Sequence, residues 1–173
     1  MKIFKNIKNN KMKRGIALLF VIMLSSILLV IALSISNIAT KEAVFSVSAR
    51  NASDAFYAAD TGAECALGND SSGNSAFNEN HTGVVCLGTN EISFANPSAT
   101  EWEFTLSEMG SSSSSCALIR VTKEQDDINP DSIHTTIIST GYNRTGSNGC
   151  GSPSNSIVER ELQVDYTTPN PAP

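Results

Sequence analysis

A long uncharged stretch near the start of the chain constrains the fold more than any other feature. Residues 16–40 are mostly aliphatic and include no charged side chain. A helix needs about 20 apolar residues to cross the hydrocarbon core of a bilayer. The stretch therefore predicts one membrane-spanning helix.

The charges on the two sides of this stretch differ in sign. Six of the twelve cations precede Gly15, whereas all seventeen acids lie at or beyond Glu42. Because Lys and Arg are enriched in cytoplasmic segments, we expect a single-pass protein with its N-terminus in the cytoplasm and its C-terminal part outside. The acidic outer part disfavours nucleic acid as a partner, since binding to its backbone needs clustered cations.

A processing motif precedes the uncharged stretch. Gly15 directly follows the last basic residue of this segment. The apolar residues after it are Ile16, Ala17, Leu18, Leu19 and Phe20. An ordinary cleaved signal peptide has a shorter apolar core, of about 7–15 residues. The arrangement resembles the cleavage site of type IV prepilins, in which a membrane peptidase cuts after the glycine and methylates the new N-terminus. The resemblance implies a leader of residues 1–15 and a cut between Gly15 and Ile16; a plain uncleaved anchor is the alternative.

The helix is expected to continue well beyond the membrane. Glycine is absent from residues 16–61 and proline does not occur before Pro97, so no residue forces a break. The turn-forming residues 68–73 then predict an end, which gives a helix over residues 16–67. Apolar residues recur at steps of three and four, which predicts one apolar stripe. The stripe consists of Phe45, Ala49, Ala52, Phe56, Ala59, Ala63 and Ala66.

The outer part of this helix also resembles minor pilins. Residues 50–67 read R-N-A-S-D-A-F-Y-A-A-D-T-G-A-E-C-A-L, and minor pilins often read R-x-x-x-x-A-F-x-A-A-E-x-A in this region. The resemblance covers residues 10–67 and does not extend over residues 69–173. It implies an α+β, pilin-like fold, in which a long N-terminal helix packs on a small antiparallel sheet. The partners it implies are other pilins or pseudopilins, the prepilin peptidase and the inner-membrane assembly platform.

Phe20 departs from the pattern of the family. Major pilins and many pseudopilins carry a glutamate at this place, where it pairs with the N-terminus of a neighbouring subunit during assembly. Some minor pilins and the tip pseudopilin of type II secretion lack it. Because a carboxylate in lipid is costly and usually functional, Phe20 favours a minor, priming or tip subunit. It also leaves open a pilin-like anchor that never polymerises.

Residues 68–166 are predicted to form an exported, β-rich domain with about four strands in its sheet. Alternating or β-branched patterns predict strands at residues 84–87, 101–106, 117–122, 134–140 and 158–166. A turn is expected at residues 129–131 and a long loop at residues 141–156. The Pro-rich tail, residues 167–173, is predicted to be disordered or extended.

All four cysteines lie beyond the predicted membrane span. An even number of cysteines in an exported region predicts disulfides, and four cysteines allow three pairings. We favour Cys65–Cys86, which would fasten the end of the helix, together with Cys116–Cys150, which would hold the long loop. The chain has no C-x-x-C pair, which disfavours a zinc site.

The sequence indicates no catalytic set and no cofactor, so we expect no enzyme. His81 and His134 are isolated, and the serine run at residues 111–115 lacks a G-x-S-x-G elbow. Asp126, Asp127 and Asp131 are a candidate calcium site. They lack the D-x-D-x-D-G order, so a solvated loop is favoured.

These patterns predict a structural, minor subunit of a type IV pilus or related pseudopilus, at the membrane before assembly and on the pilus or cell surface afterwards. Two alternatives remain at this stage. One is a non-polymerising, signal-anchored cell-surface binding protein, and the other is a cell-surface hydrolase with an unrecognised site. The sequence does not indicate whether the system serves adhesion, motility, DNA uptake or secretion.

Overall fold

The protein is an α+β protein with one long N-terminal helix and antiparallel sheets, as predicted. The computed structural model describes residues 10–71, 75–78, 80–86, 88, 91–95, 97–110, 113–126, 129–146, 149–152 and 157–170. The described elements are α1 (Asn10–Ser71), β1 (Gly83–Val84), β2 (Ile92–Ser93), β3 (Glu101–Met109), β4 (Ser115–Gln125), β5 (Ser132–Tyr142) and β6 (Glu159–Pro169).

Helix α1 extends beyond both of its predicted ends. It begins at Asn10 rather than at Ile16, because the Lys, Met and Arg residues before Gly15 are good helix formers. It ends at Ser71, four residues after the predicted end. Tertiary contacts hold this last turn: the Asn69 side-chain amide donates to the Val85 carbonyl, at 3.1 Å.

The chain divides into two compact units, and the division falls inside α1. The first unit is Met1–Val47 and the second is Ser48–Pro173. In the first unit, every side chain of residues 16–47 is exposed. By length and composition, α1 is apolar enough there to cross a membrane.

The second unit contains a four-stranded sheet in the order β3-β4-β5-β6, with every neighbouring pair antiparallel. Strands β1 and β2 form a separate two-stranded sheet. Strand β6 includes Thr167 and Thr168, which pair with His134 and Ile133. Of the two alternatives for the tail, disordered or extended, residues 167–169 are extended, because backbone pairing with β5 orders them. The predicted loop likewise begins after Tyr142 rather than at Gly141.

The last turns of α1 pack on one face of the sheet with small side chains. The buried helix residues include Ala55, Ala58, Ala59, Ala63 and Ala66. Of the predicted apolar stripe, Phe45, which lies in the first unit, is 76% exposed and Phe56 is 44% exposed. Within the second unit, the helix therefore buries its small residues and exposes Phe56 and Tyr57. Opposite the alanines, the sheet supplies the large core residues Trp102, Phe104, Leu106, Ile119, Val121 and Ile137.

Candidate functional site

The predicted processing and anchoring residues lie within one continuous helical segment. Gly15 and Ile16 are consecutive residues of α1, so no break in secondary structure separates them. Ile16 is 71% exposed and Phe20 is 66% exposed, and Ala17, Leu18 and Leu19 between them are exposed as well. An apolar surface of this length is far larger than the patches that soluble monomers expose. It requires lipid or other helices to cover it.

A partly buried polar cluster joins the end of α1 to the sheet. We call it the Asp70 cluster; its members are Asp70, Ser75, Lys123 and Tyr166. The ammonium group of Lys123 and the phenol of Tyr166 each donate a hydrogen bond to the Asp70 carboxylate. Lys123 Nζ also donates to Ser75 Oγ, at 2.9 Å. Lys123 comes from β4 and Tyr166 from β6, so one carboxylate connects α1 to two strands.

The electrostatics of the cluster favour an ionised Asp70, which lies well beyond the uncharged stretch. Burial by itself raises the pKa of the Asp70 carboxyl, but hydrogen bonds from Lys123, Ser75 and Tyr166 outweigh burial and hold the pKa below its ordinary value. Burial and the hydrogen bond to Asp70 together raise the pKa of the Tyr166 phenol. Removing Lys123 would leave the Asp70 carboxylate without its cation.

Sequence reasoning missed this cluster, although one signal pointed to it. Lys123 follows Ile119 and Val121 at the two-residue spacing of a single strand face, and that face is buried. A lysine on an apolar face requires an anionic partner. The partner could not be chosen from the sequence, because the chain has seventeen acids.

Two disulfides brace the same unit. Cys65 on α1 is joined to Cys86, with Cα atoms 5.7 Å apart, and Cys116 on β4 is joined to Cys150, with Cα atoms 5.9 Å apart. This is the pairing favoured from the sequence. The first disulfide fastens the last turns of α1 to the segment after β1. The second fastens the loop that follows β5 to the sheet.

Close approach of helix and strand depends on a glycine in β5. A Cβ atom placed on Gly141 would overlap the Ala55 carbonyl oxygen and the Ala59 amide nitrogen, and would lie 2.9 Å from Ala59 Cα. These atoms belong to the helix backbone and cannot rotate away. Glycine inside a strand signals such an approach. The predicted strand ended at Thr140, so Gly141 was assigned to a loop and the signal was missed.

Backbone amides of the acidic loop between β4 and β5 make local hydrogen bonds that hold the loop. Asp126 N donates to Ser132 O at 3.0 Å, and Asp131 N donates to Asn129 Oδ1 at 3.3 Å. Asp127, the third residue of the candidate calcium site, lies outside the described residues. Within the described ranges, the structure has no group of three or more His, Cys, Asp or Glu residues that could hold a metal ion.

The two histidines make local contacts in the second unit. His81 Nδ1 lies 2.9 Å from Asn78 Oδ1, and His134 Nε2 lies 3.7 Å from Asp165 Oδ1. The hydroxyl of Thr136, near His134, donates to Asp165 at 2.7 Å. The Thr136 hydroxyl oxygen also lies 3.4 Å from His134 Nε2.

No protein-family model, curated protein or solved structure matches this chain.

Proposed function

We propose that this chain is a minor structural subunit of a type IV pilus or related pseudopilus, made as a prepilin and cleaved between Gly15 and Ile16. The observation that carries the proposal is helix α1. One uninterrupted helix joins an exposed, uncharged apolar part to an outer part that packs on a β-sheet with its alanines. The prepilin-like junction at its start and the minor-pilin-like residues 50–67 support the same assignment.

The assembly mechanism follows from the two environments that the apolar part can enter. Before assembly, lipid covers residues 16–38. In the fibre, the helices of other pilins or pseudopilins replace the lipid, after the inner-membrane assembly platform extracts the subunit. Lipid chains are about as apolar as leucine, so close helix contacts rather than hydrophobic transfer must favour the fibre.

An outward location of the second unit is part of the proposal. Two disulfides within this unit are typical of an oxidising compartment outside the cytoplasm. The six cations before Gly15 favour a cytoplasmic N-terminus. The proposed role is mechanical and structural, and it requires no cofactor and no catalytic residue.

Phe20 supports the minor type of subunit. A subunit with phenylalanine at this place has no carboxylate to pair with the N-terminus of its neighbour. Such a subunit fits the tip or the initiation of a fibre better than its repeating shaft. Phe20→Glu would supply the missing carboxylate, and we expect it to raise incorporation of the subunit along the length of the fibre.

Intact-mass and N-terminal analysis of protein from its native membrane tests the proposal. We expect a chain that begins at Ile16 and carries one added methyl group. Gly15→Leu should leave the leader attached. Gly68→Leu is the matched control, because Gly68 lies on the same helix with open space around its Cβ position, and it should be processed normally.

A chain that still begins at Met1 would overturn the proposal. That result would leave the non-polymerising, signal-anchored binding protein as the better description. A processed chain that is absent from fibres sheared from the same cells would keep the prepilin assignment and reject the structural role.

A further inference from the structure

The two edges of the four-stranded sheet are protected to different degrees. At the β3 edge, Ala95 N donates to Glu103 O at 2.7 Å and Ser98 N donates to Glu101 O at 2.8 Å. At the opposite edge, β6 pairs with β5 along all 11 of its residues. In the part of the chain that the structure describes, no strand pairs with the other side of β6. This edge therefore presents backbone donors and acceptors for a further strand.

The side chains of β6 give the open edge a distinct chemistry. Val164 and Tyr166 pack against the core, and Leu162 lies on the same face; all three are half-buried. The exposed Arg160 also lies on this face, at the start of the strand. On the opposite face, Glu161 and Asp165 are exposed, as is Glu159 at the start of the strand. An added strand would complete the burial of the first face and would lie beside the carboxylates of the second.

We propose that the open edge of β6 binds an extended segment of a partner protein by β-strand addition. The segment carries Lys or Arg at alternate positions, beside the β6 carboxylates, with aliphatic residues between them, beside Leu162 and Val164. In this mode main-chain hydrogen bonds supply affinity and alternate side chains supply specificity. The site goes beyond the proposed pilus role, since it lies in the second unit and operates whether or not the anchor enters a fibre.

Two of the registers in which a second copy of β6 could pair with the same edge bring like charges together. An antiparallel pair centred on Leu162 would place Glu159 opposite Asp165 of the other copy. A pair centred on Gln163 would place Glu161 opposite Asp165. Like charges directly opposite each other destabilise a strand pair, whereas opposite charges stabilise it. Charge therefore disfavours these two registers, whereas a basic segment is attracted to the carboxylates of β6. The register centred on Val164 places no carboxylates opposite each other, and light scattering tests it.

Labelled peptides provide the test, with the full-length chain held in non-ionic detergent micelles. The probe is a peptide of sequence Thr-Val-Lys-Val-Lys-Val-Lys-Val-Thr, and its counterpart has Glu in place of Lys. Fluorescence anisotropy should show saturable binding of the basic peptide and weaker binding of the acidic one. Two N-methylated forms of the basic peptide, blocked at alternate amides, should differ: one loses binding and the other keeps it, because only one edge of the peptide faces β6.

Variants of the chain locate the site. Glu161→Lys should weaken binding of the basic peptide by about two- to five-fold and strengthen binding of the acidic one. Glu124→Lys is the matched control, because Glu124 is an exposed residue of β4 and its replacement changes the net charge equally. It should leave binding unchanged.

Several results would overturn the proposal. They are no saturable binding of the basic peptide, equal binding of the two N-methylated forms, or equal losses in the two variants. Light scattering that shows a dimer, which Glu161→Lys leaves intact or strengthens and the basic peptide dissociates, would assign the edge to a second copy instead. None of these results depends on processing at Gly15, so failure of this proposal is distinguishable from failure of the pilus assignment.

Discussion

The two parts of α1 share a backbone conformation and differ in almost everything else. Residues 16–47 expose long aliphatic side chains all around the helix. Residues 48–71 bury alanines against β4 and β5 and expose Phe56 and Tyr57. Large aliphatic side chains thus characterise the part of α1 whose surface is exposed, and alanines characterise the part that packs on the sheet.

The difference teaches that hydrophobicity alone does not identify the buried face of this helix. Gly141 and the alanines at positions 55 and 59 bring the two backbones close together, which leaves no room for an aromatic ring. The contact is then stabilised by the Asp70 cluster and by the Cys65–Cys86 disulfide at the end of the helix. Four predictions test this contrast, beginning with the largest expected effect.

Lys123→Met should cause the largest loss of stability in the second unit. It leaves the Asp70 carboxylate, whose side chain is 4% exposed, without its cation. We expect the free energy of unfolding to fall by about 3–5 kcal/mol. Denaturant unfolding can be followed through the single tryptophan, Trp102, which is 3% exposed.

Arg120→Met on the same strand is the control; its ion pairs are exposed and should contribute about 1 kcal/mol or less. Similar losses in both variants would contradict the role given to burial.

Leu24→Arg should disturb only the first part. A central arginine raises the apparent free energy of membrane insertion by about 2.5–3.5 kcal/mol. Insertion can be measured in microsomes from glycosylation at tags on either side of the helix. Ala49→Arg lies beyond Lys41 and Glu42 and should insert normally. If both variants inserted alike, residues 16–40 would not be the segment that spans the membrane.

Gly141→Ala should loosen the contact between helix and sheet. The added methyl group meets backbone atoms of Ala55 and Ala59, so the elements must shift apart, at about 1–3 kcal/mol. Gly68→Ala on α1 is the matched change, because its Cβ position is open. Alanine there should stabilise the exposed helix by up to about 1 kcal/mol. Opposite signs in the two unfolding experiments are expected, and a loss of stability in both would contradict the prediction.

Acid should weaken the outer part through Asp70, with the smallest effect of the four. Because the pKa of Asp70 is lower in the folded state, its contribution is fully present above its unfolded pKa and is lost as the pH falls through the folded value. Unfolding should be measured between pH 6 and pH 2. Asp70→Asn should be less stable at pH 6 and should lose less stability on acidification than the natural chain. Parallel pH profiles would show that other carboxylates account for the loss.

Several features of the fold were predictable because they depend on local patterns. The absence of glycine and proline predicted a continuous helix, and two-residue alternation predicted which faces of β3 and β4 are buried. The ends of elements were less predictable. The helix passes Gly68 because Asn69 and Asp70 are held by long-range contacts, and β6 passes Thr167 because β5 offers a full-length partner.

The candidate sites divide in the same way. Gly15 and Ile16 are visible in the sequence, since a processing motif is a run of adjacent residues. The Asp70 cluster is not, because Asp70 and Tyr166 are separated by 96 positions and meet only after the sheet has formed. The open edge of β6 is also a property of strand order, which no single strand pattern contains.

The sequence by itself determined one long helix with an apolar first part, an acidic, β-rich unit after it in the chain, and an even number of cysteines. These features follow from charge, periodicity and composition, which can be read from neighbouring residues alone. Only the tertiary structure decided that alanines rather than Phe56 face the sheet, and that Lys123 meets Asp70. It also decided which edge of the sheet stays open. These choices depend on the distance between backbones and on the cost of burying a charge, and both quantities exist only once distant segments are in contact.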